Sequence, residues 1–237
     1  MGASLSSIPD GASLSRSLLQ DASRTRSHSR ERRRGRYGSQ HDKEHGVKVA
    51  FFYHSLVSDW NNGNAHFLRG VAKELQKRGC EVSVFEPADG WSMRNLIRDF
   101  GQDPLEDFKR AYPSLDATTY SPKSLDLDTM LDDIDLVIVH EWNEPEVVNS
   151  IGAHRALNTG YKLLFHDTHH RSVTKPRDLD RYVLSNYDGV LAFGESVRQQ
   201  YISRGWTRAA WVWHEAADTT VFYPRRDDAV CEGDLVW

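Results

Sequence analysis

Cysteine is nearly missing from this sequence: Cys80 and Cys231 are the two present in 237 residues. Two cysteines cannot build a disulfide scaffold or a four-cysteine zinc site, and a reducing, cytoplasmic compartment is the simpler expectation. Long apolar runs are also missing. No stretch approaches the roughly 18–20 residues of a membrane-spanning helix, so an integral membrane protein is not expected. The first residues lack the apolar core of a secretory signal. No GxGxxG run follows a strand, and no GxxxxGK[ST] loop occurs, which disfavours a nicotinamide dinucleotide and a nucleotide triphosphatase. Gly194-Glu195-Ser196-Val197-Arg198 lacks the second glycine of a nucleophile elbow.

What is present divides by charge. The chain carries a net charge of −4, with 39% hydrophobic and 27% charged residues, a globular balance. Residues 1–45 are net positive, with arginines clustered at Arg30, Arg32, Arg33, Arg34 and Arg36, while the remainder is net negative. An acidic domain argues against nucleic acid as the main partner. The tail is rich in serine and has no helical or strand period, so it is expected to be disordered and dispensable for folding. Three functional readings stand beside that one. Met1-Gly2 with Ser6 fits a myristoylation pattern, the Arg and Ser content suits a transit peptide, and the arginines suit contact with anionic surfaces.

From residue 46 onward, strand and helix signals alternate. Val47–Tyr53 reads as a buried strand, and Ala65, Leu68, Val71, Ala72 and Leu75 give a helix stopped by Gly79. Strands follow at Glu81–Phe85, Leu136–Val139, Lys162–Phe165, Gly189–Phe193 and Ala210–Trp213. Helices are read at Trp91–Phe100, Leu105–Ala111, Leu127–Leu131, Glu144–Leu157, Leu179–Leu184 and Ser196–Ser203. This order predicts an α/β domain, a Rossmann-like doubly wound parallel sheet over residues 46–224. Residues 1–45 form the tail, and 225–237 a linker leading into a second domain.

In such a sheet, ligands bind beyond the carboxyl ends of the strands, so the residues that follow strands are the candidates. After the first strand come His54, then Gly63 and Asn64 at a helix start, where a backbone approaches an anion closely. After the Leu136–Val139 strand come His140, Glu141 and Trp142, which combine proton exchange near neutral pH with a flat ring face. After Lys162–Phe165 come His166, Asp167, Thr168, His169 and His170, and after Phe193 comes Glu195. Competing structural roles are plain: a turn glycine, Asn143 as a helix cap, Glu144 serving the helix dipole. Three histidines and an aspartate within five residues also suit a metal, but neighbouring strand-end side chains point opposite ways. The expected groove runs along His54, Gly63, Asn64, His140, Glu141, His166 and Glu195.

Taken in order, these motifs resemble the N-terminal domain of glycosyltransferases with the two-Rossmann, GT-B architecture, most nearly family 4 (group 1). The resemblance rests on Asn62-Gly63-Asn64 with Leu68, Ala72, Leu75 and Gly79-Cys-Glu-Val82, on His166-Asp167 after a strand, and on Gly189–Tyr201 with Trp213-His-Glu-Ala-Ala-Asp218 and Phe222-Tyr-Pro224. It departs where Asn62-Gly63 replaces a glycine pair and Glu215-Ala216-Ala217 replaces Asn-Gly-Val. The resemblance implies transfer of a sugar from a nucleotide sugar to an acceptor hydroxyl, with no metal and no cofactor. It implies catalytic roles for His140, Glu141 and His166 and substrate contacts from His54, Gly63, Asn64, Trp142, Asp167 and Glu195. In that family the donor is held mainly by a second, C-terminal domain. Asp234-Leu-Val-Trp237 resembles the first strand of such a domain, so the chain is expected to be a truncated form or half of a split enzyme, inactive alone and prone to self-association through an uncovered face. Two other functions compete: a non-catalytic Rossmann binding module, and a metal-dependent hydrolase built on His166–His170.

Overall fold

The computed structural model of the chain describes residues 46–60 and 63–223; the expectations for 1–45 and 225–237 lie outside them. Lys48–Phe52 forms β1, and every residue of it after Lys48 is buried. Ala50 and Phe52 enter one apolar cluster, Val49, Phe51 and Tyr53 the other. A strand whose two faces are both apolar belongs inside a sheet covered on both sides. The remaining strands are β2 (Glu81–Pro87), β3 (Ala117–Tyr120), β4 (Leu136–His140), β5 (Lys162–Asp167), β6 (Gly189–Ala192) and β7 (Ala210–Val212). They make one sheet in the order β3-β2-β1-β4-β5-β6-β7, with all neighbours parallel. The order reverses between β1 and β4, the switch point of a doubly wound sheet.

The helices are α1 (Asn64–Lys77), α2 (Trp91–Phe100), α3 (Asp103–Ala111), α4 (Leu127–Met130), α5 (Pro145–Leu157), α6 (Arg171–Thr174), α7 (Pro176–Leu179) and α8 (Glu195–Ser203). Helix α1 lays Leu68 and Ala72 on one face of the sheet, and α5 lays Val147, Val148 and Ile151 on the other. Burying each of the larger ones, Leu68, Val147, Val148 and Ile151, contributes about 1.5–3 kcal/mol. Gly79 ends α1 at φ +83°, a conformation that other residues adopt only with strain.

Two expectations change. The sequence reading has no strand between Pro113 and Pro122, yet Ala117–Tyr120 pairs with Val84–Pro87 as the edge of the sheet. The helix expected over Leu179–Leu184 lies earlier and is split into α6 and α7. Pro176 opens α7 as its first residue. Beyond it, tertiary bonds hold the backbone out of helix: Asn149 Oδ1 accepts from Val183 N–H at 2.7 Å, and Asn149 Nδ2 donates to Arg181 O at 3.0 Å.

Candidate functional site

His140 and His166 are register partners at the carboxyl ends of β4 and β5. The pleat aims both at the face covered by α1, the side of Tyr53, Ile138 and Leu164. Their rings lie 5.5 Å apart, Tyr53 stacks on His140 at 4.4 Å, and His54 lies 5.6 Å from His140. Phe67 from α1 and Trp213 close over His166 at 5.7 and 4.8 Å. The expected groove histidines thus stand on one edge of the sheet, but beneath its surface: His140, His166 and Glu141 have no exposed area.

Burial keeps both imidazoles neutral. His140 is lowered well below its usual value by burial, with His166, His54 and Arg171 adding to the shift. The backbone N–H of Trp142 donates to His140 Nδ1 at 3.3 Å. That assigns the proton to Nε2, which faces Thr168 Oγ1 at 3.1 Å, and the Thr168 hydroxyl donates to Glu141 Oε1 at 3.3 Å. Burial pushes His166 down to about 3. Its Nδ1 bonds the Tyr53 hydroxyl at 2.6 Å, while its buried Nε2 has no hydrogen-bond partner among the described residues.

The carboxylates form a second layer. Asp167, one residue after His166, points to the opposite face, where Tyr201 of α8 donates to it at 2.7 Å and His169 N–H at 2.9 Å. Burial, then the nearby Glu141 carboxylate, raises the Asp167 carboxyl far above the usual range. Glu141 receives Arg171 at 2.6 Å and Thr168 N–H at 3.1 Å. The Arg171 guanidinium also lies 4.7 Å over Trp142. The desolvation cost of a buried ion pair of this kind offsets much of its attraction, so it adds little net stability.

Above the histidines the surface opens beside the start of α1. Gly63 precedes the helix with no side-chain cap, no residue of the first turn is acidic, and a side chain at Gly63 would meet nothing within 4 Å. Asp59 accepts the His66 N–H at 2.8 Å. A shallow recess of about 290 Å³ lies here between Gly63, His66 and Phe67 on one side and Glu215, Ala217 and Phe222 on the other. With the Asn64 amide oriented to suit both neighbours, its nitrogen donates to Glu215 Oε1 at 2.9 Å and its oxygen accepts from Trp142 Nε1 at 3.3 Å. Burial raises the Glu215 carboxyl above its usual value.

The family model for Glycosyltransferase Family 4 matches residues 61–221, more than half of the chain, including His140, His166 and the start of α1. The chain belongs to glycosyltransferase family 4. No curated protein matches it. Among solved structures, MurG of Acinetobacter baumannii is similar at 15% identity and a TM-score of 0.40, over 64% of this chain and 42% of that one. The chain therefore spans less than half the length of that protein.

Within this family 4 domain, His54, Asn64, His140, Glu141, Trp142, His166 and Asp167 are joined by contacts, and Gly63 borders them. Glu195 is not joined to them: it is exposed, and its carboxylate binds Arg198 at 2.7 Å and Gln199 at 2.6 Å on its own helix. The hydrolase reading loses its ligand set, because His166 turns into the core while His169 stacks on His170 at 4.1 Å. Among the described residues no group of three or more His, Cys, Asp or Glu is gathered to hold a metal ion. Sequence reasoning passed over Tyr53, Phe67, Trp213 and Glu215. The first two read as ordinary core positions; Glu215 directly follows a strand with His214 and carried the same signal as His140-Glu141.

Proposed function

We propose that this family 4 domain is the acceptor-side half of a sugar-nucleotide glycosyltransferase, moving a sugar from a nucleotide sugar to an acceptor hydroxyl when a C-terminal domain completes the site. The observation that supports this most is the recess at the start of α1, set at the switch point of the sheet and open at Gly63, where Asp59 takes the His66 N–H. A helix N-terminus with a glycine lets the phosphate-bearing part of a donor approach backbone N–H groups. His140 and His166 lie under the groove. Their role is to hold Tyr53, Trp142 and Thr168 in place and to present neutral nitrogen to a sugar hydroxyl once Phe67 and Trp213 admit one. Glu141 and Asp167 act as positioning residues through Arg171 and Tyr201.

Amide NMR of the chain, titrated with UDP-glucose and GDP-mannose, tests this. The expected result is perturbation centred on Gly63, His66 and Glu215, abolished by Gly63→Val. No perturbation on this edge with either nucleotide sugar would remove the reading and leave a module that binds something else.

A further inference from the structure

A second and larger cleft lies beyond the groove, on the β2 side of the switch point. It encloses about 670 Å³ between the β1–α1 loop, which supplies Asp59 and Trp60, and Leu96, Asp99, Phe100 and Pro104 of α2 and α3. That volume falls within the roughly 300–1,000 Å³ of small-molecule sites. Trp60 is fixed in it: its indole N–H donates to Asp99 Oδ2 at 2.8 Å, and Trp91 meets it edge-on at 5.8 Å. Trp91 in turn stacks on His54 at 5.8 Å and lies 6.0 Å from Trp142. Half-buried indoles therefore lead from the cleft to the groove above the histidines.

We infer that this cleft holds a neutral saccharide, the part of the acceptor that precedes the reacting hydroxyl; the inference rests on the transferase reading above and names its acceptor class. The lining decides the class. Trp60, Leu96, Phe100 and Pro104 supply flat apolar surface, which suits the C–H face of a pyranose. Asp59 and Asp99 supply carboxylate oxygens, which accept from sugar hydroxyls. Asp59 pairs with Arg69 and Asp99 with Arg98 at 2.7 Å, so each carboxylate is charge-balanced and attracts a cation little, while its remaining lone pairs still accept from hydroxyls. Neither arginine lines the cleft, and each is charge-balanced in the same pair, so the cleft presents no net positive charge to an anion. An acyl chain would need an enclosed apolar wall, and here Phe100 is 63% exposed. A neutral ring rich in hydroxyls satisfies both halves of the lining.

Ligand-observed NMR on the full chain tests this, with cellobiose, maltose, chitobiose and methyl mannoside as probes and choline, inorganic phosphate and octanoate as competitors in class. At least one saccharide should bind in the millimolar range. Trp60→Ala and the surface change Phe100→Ala should each weaken it about tenfold or more, and Trp60→Phe, which keeps a flat ring, should weaken it less. Saccharide binding unaffected by both alanine variants, binding of choline, phosphate or octanoate in its place, or no binding at all would overturn the assignment. UDP-glucose perturbation at Gly63 is followed in the same samples. Its survival beside a failed saccharide result sinks the acceptor cleft alone, whereas its loss sinks the transferase reading.

Discussion

His166 shows at the scale of one residue what the burial of this edge costs. Burial holds its imidazole at about 3, against an ordinary value of about 6.5. Below pH 6.5 the unfolded chain takes up a proton that the native chain does not, so stability is complete above that pH and is lost as pH falls toward the folded value. His140 is shifted in the same direction and adds to the slope. Each such histidine contributes about 1.4 kcal/mol per pH unit. Asp167 works against this slope, because its raised carboxyl keeps a proton at pH 5–7 that the unfolded chain loses. Denaturant unfolding at pH 7, 6 and 5 should show the net decline of the two histidines less the aspartate, and His166→Gln, which can still bond Tyr53, should flatten it by about one histidine's share. Equal slopes in the two proteins would show that His166 is not held neutral. Residues of this kind were legible because His, Glu and Asp directly after an apolar strand have few other reasons to be there. Tyr53, Phe67 and Trp213 were not legible, because an aromatic side chain reads the same in sequence whether it packs a core or covers a histidine.

Helix α1 and the segment that returns to it after β7 behave as a pair of elements. Asp218 is buried against Gly70, where an added Cβ would lie 3.1 Å from the Asp218 Cβ. Lys73 pairs with Asp218 at 3.4 Å and also reaches Thr220, His66 Nε2 accepts from Asp218 N–H at 3.2 Å, and Phe222 meets the His66 ring at 4.7 Å. This latch sets the far wall of the recess, since Glu215, Ala217 and Phe222 ride on the latched segment. Gly70→Ala should improve helix propensity by up to about 1 kcal/mol while crowding Asp218. We expect hydrogen exchange to quicken across residues 214–222 with the α1 amides unchanged or slower. Unaltered exchange in 214–222 would mean that the Asp218 contact does not hold the segment. The elements read correctly from sequence were those with a pattern of their own, such as the helical period of α1 and the unbroken apolar run of β4. Ala117-Thr-Thr-Tyr120 has no apolar run; its pairing with β2 makes it a strand. Leu179–Leu184 has the apolar spacing of a helix, yet the Asn149 amide and the bond from the Tyr182 hydroxyl to Glu141 O, at 2.8 Å, hold it elsewhere. Local pattern loses wherever a partner distant in sequence supplies the hydrogen bonds.

For the whole molecule, charge decides what the described domain can do unaided. Departure of a nucleoside diphosphate requires donors aimed at the developing negative charge, and removing one such donor costs on the order of 3–4 kcal/mol. Among the described residues, the recess beside Gly63 is lined by no lysine or arginine. The nearest cations of α1 already have partners, Arg69 in Asp59 and Lys73 in Asp218. What remains is one helix terminus facing a shallow opening, where water weakens every charge interaction. The exposed Phe222 and Tyr223, at 60% and 66%, stand where a covering domain would exclude that water. We therefore expect residues 46–223 to bind a nucleotide sugar without turning it over, and a fusion to the C-terminal domain of another family 4 enzyme to gain transfer activity. The measurement is release of nucleoside diphosphate in the presence of an acceptor found in the cleft assay, for the chain and the fusion side by side. Gly63→Val should abolish turnover in the fusion, because it closes the approach to the α1 terminus and leaves the rest of the fold alone. Robust turnover by the chain without the added domain would mean that cationic groups elsewhere in the chain reach the diphosphate, and that the recess is part of a self-contained catalytic site.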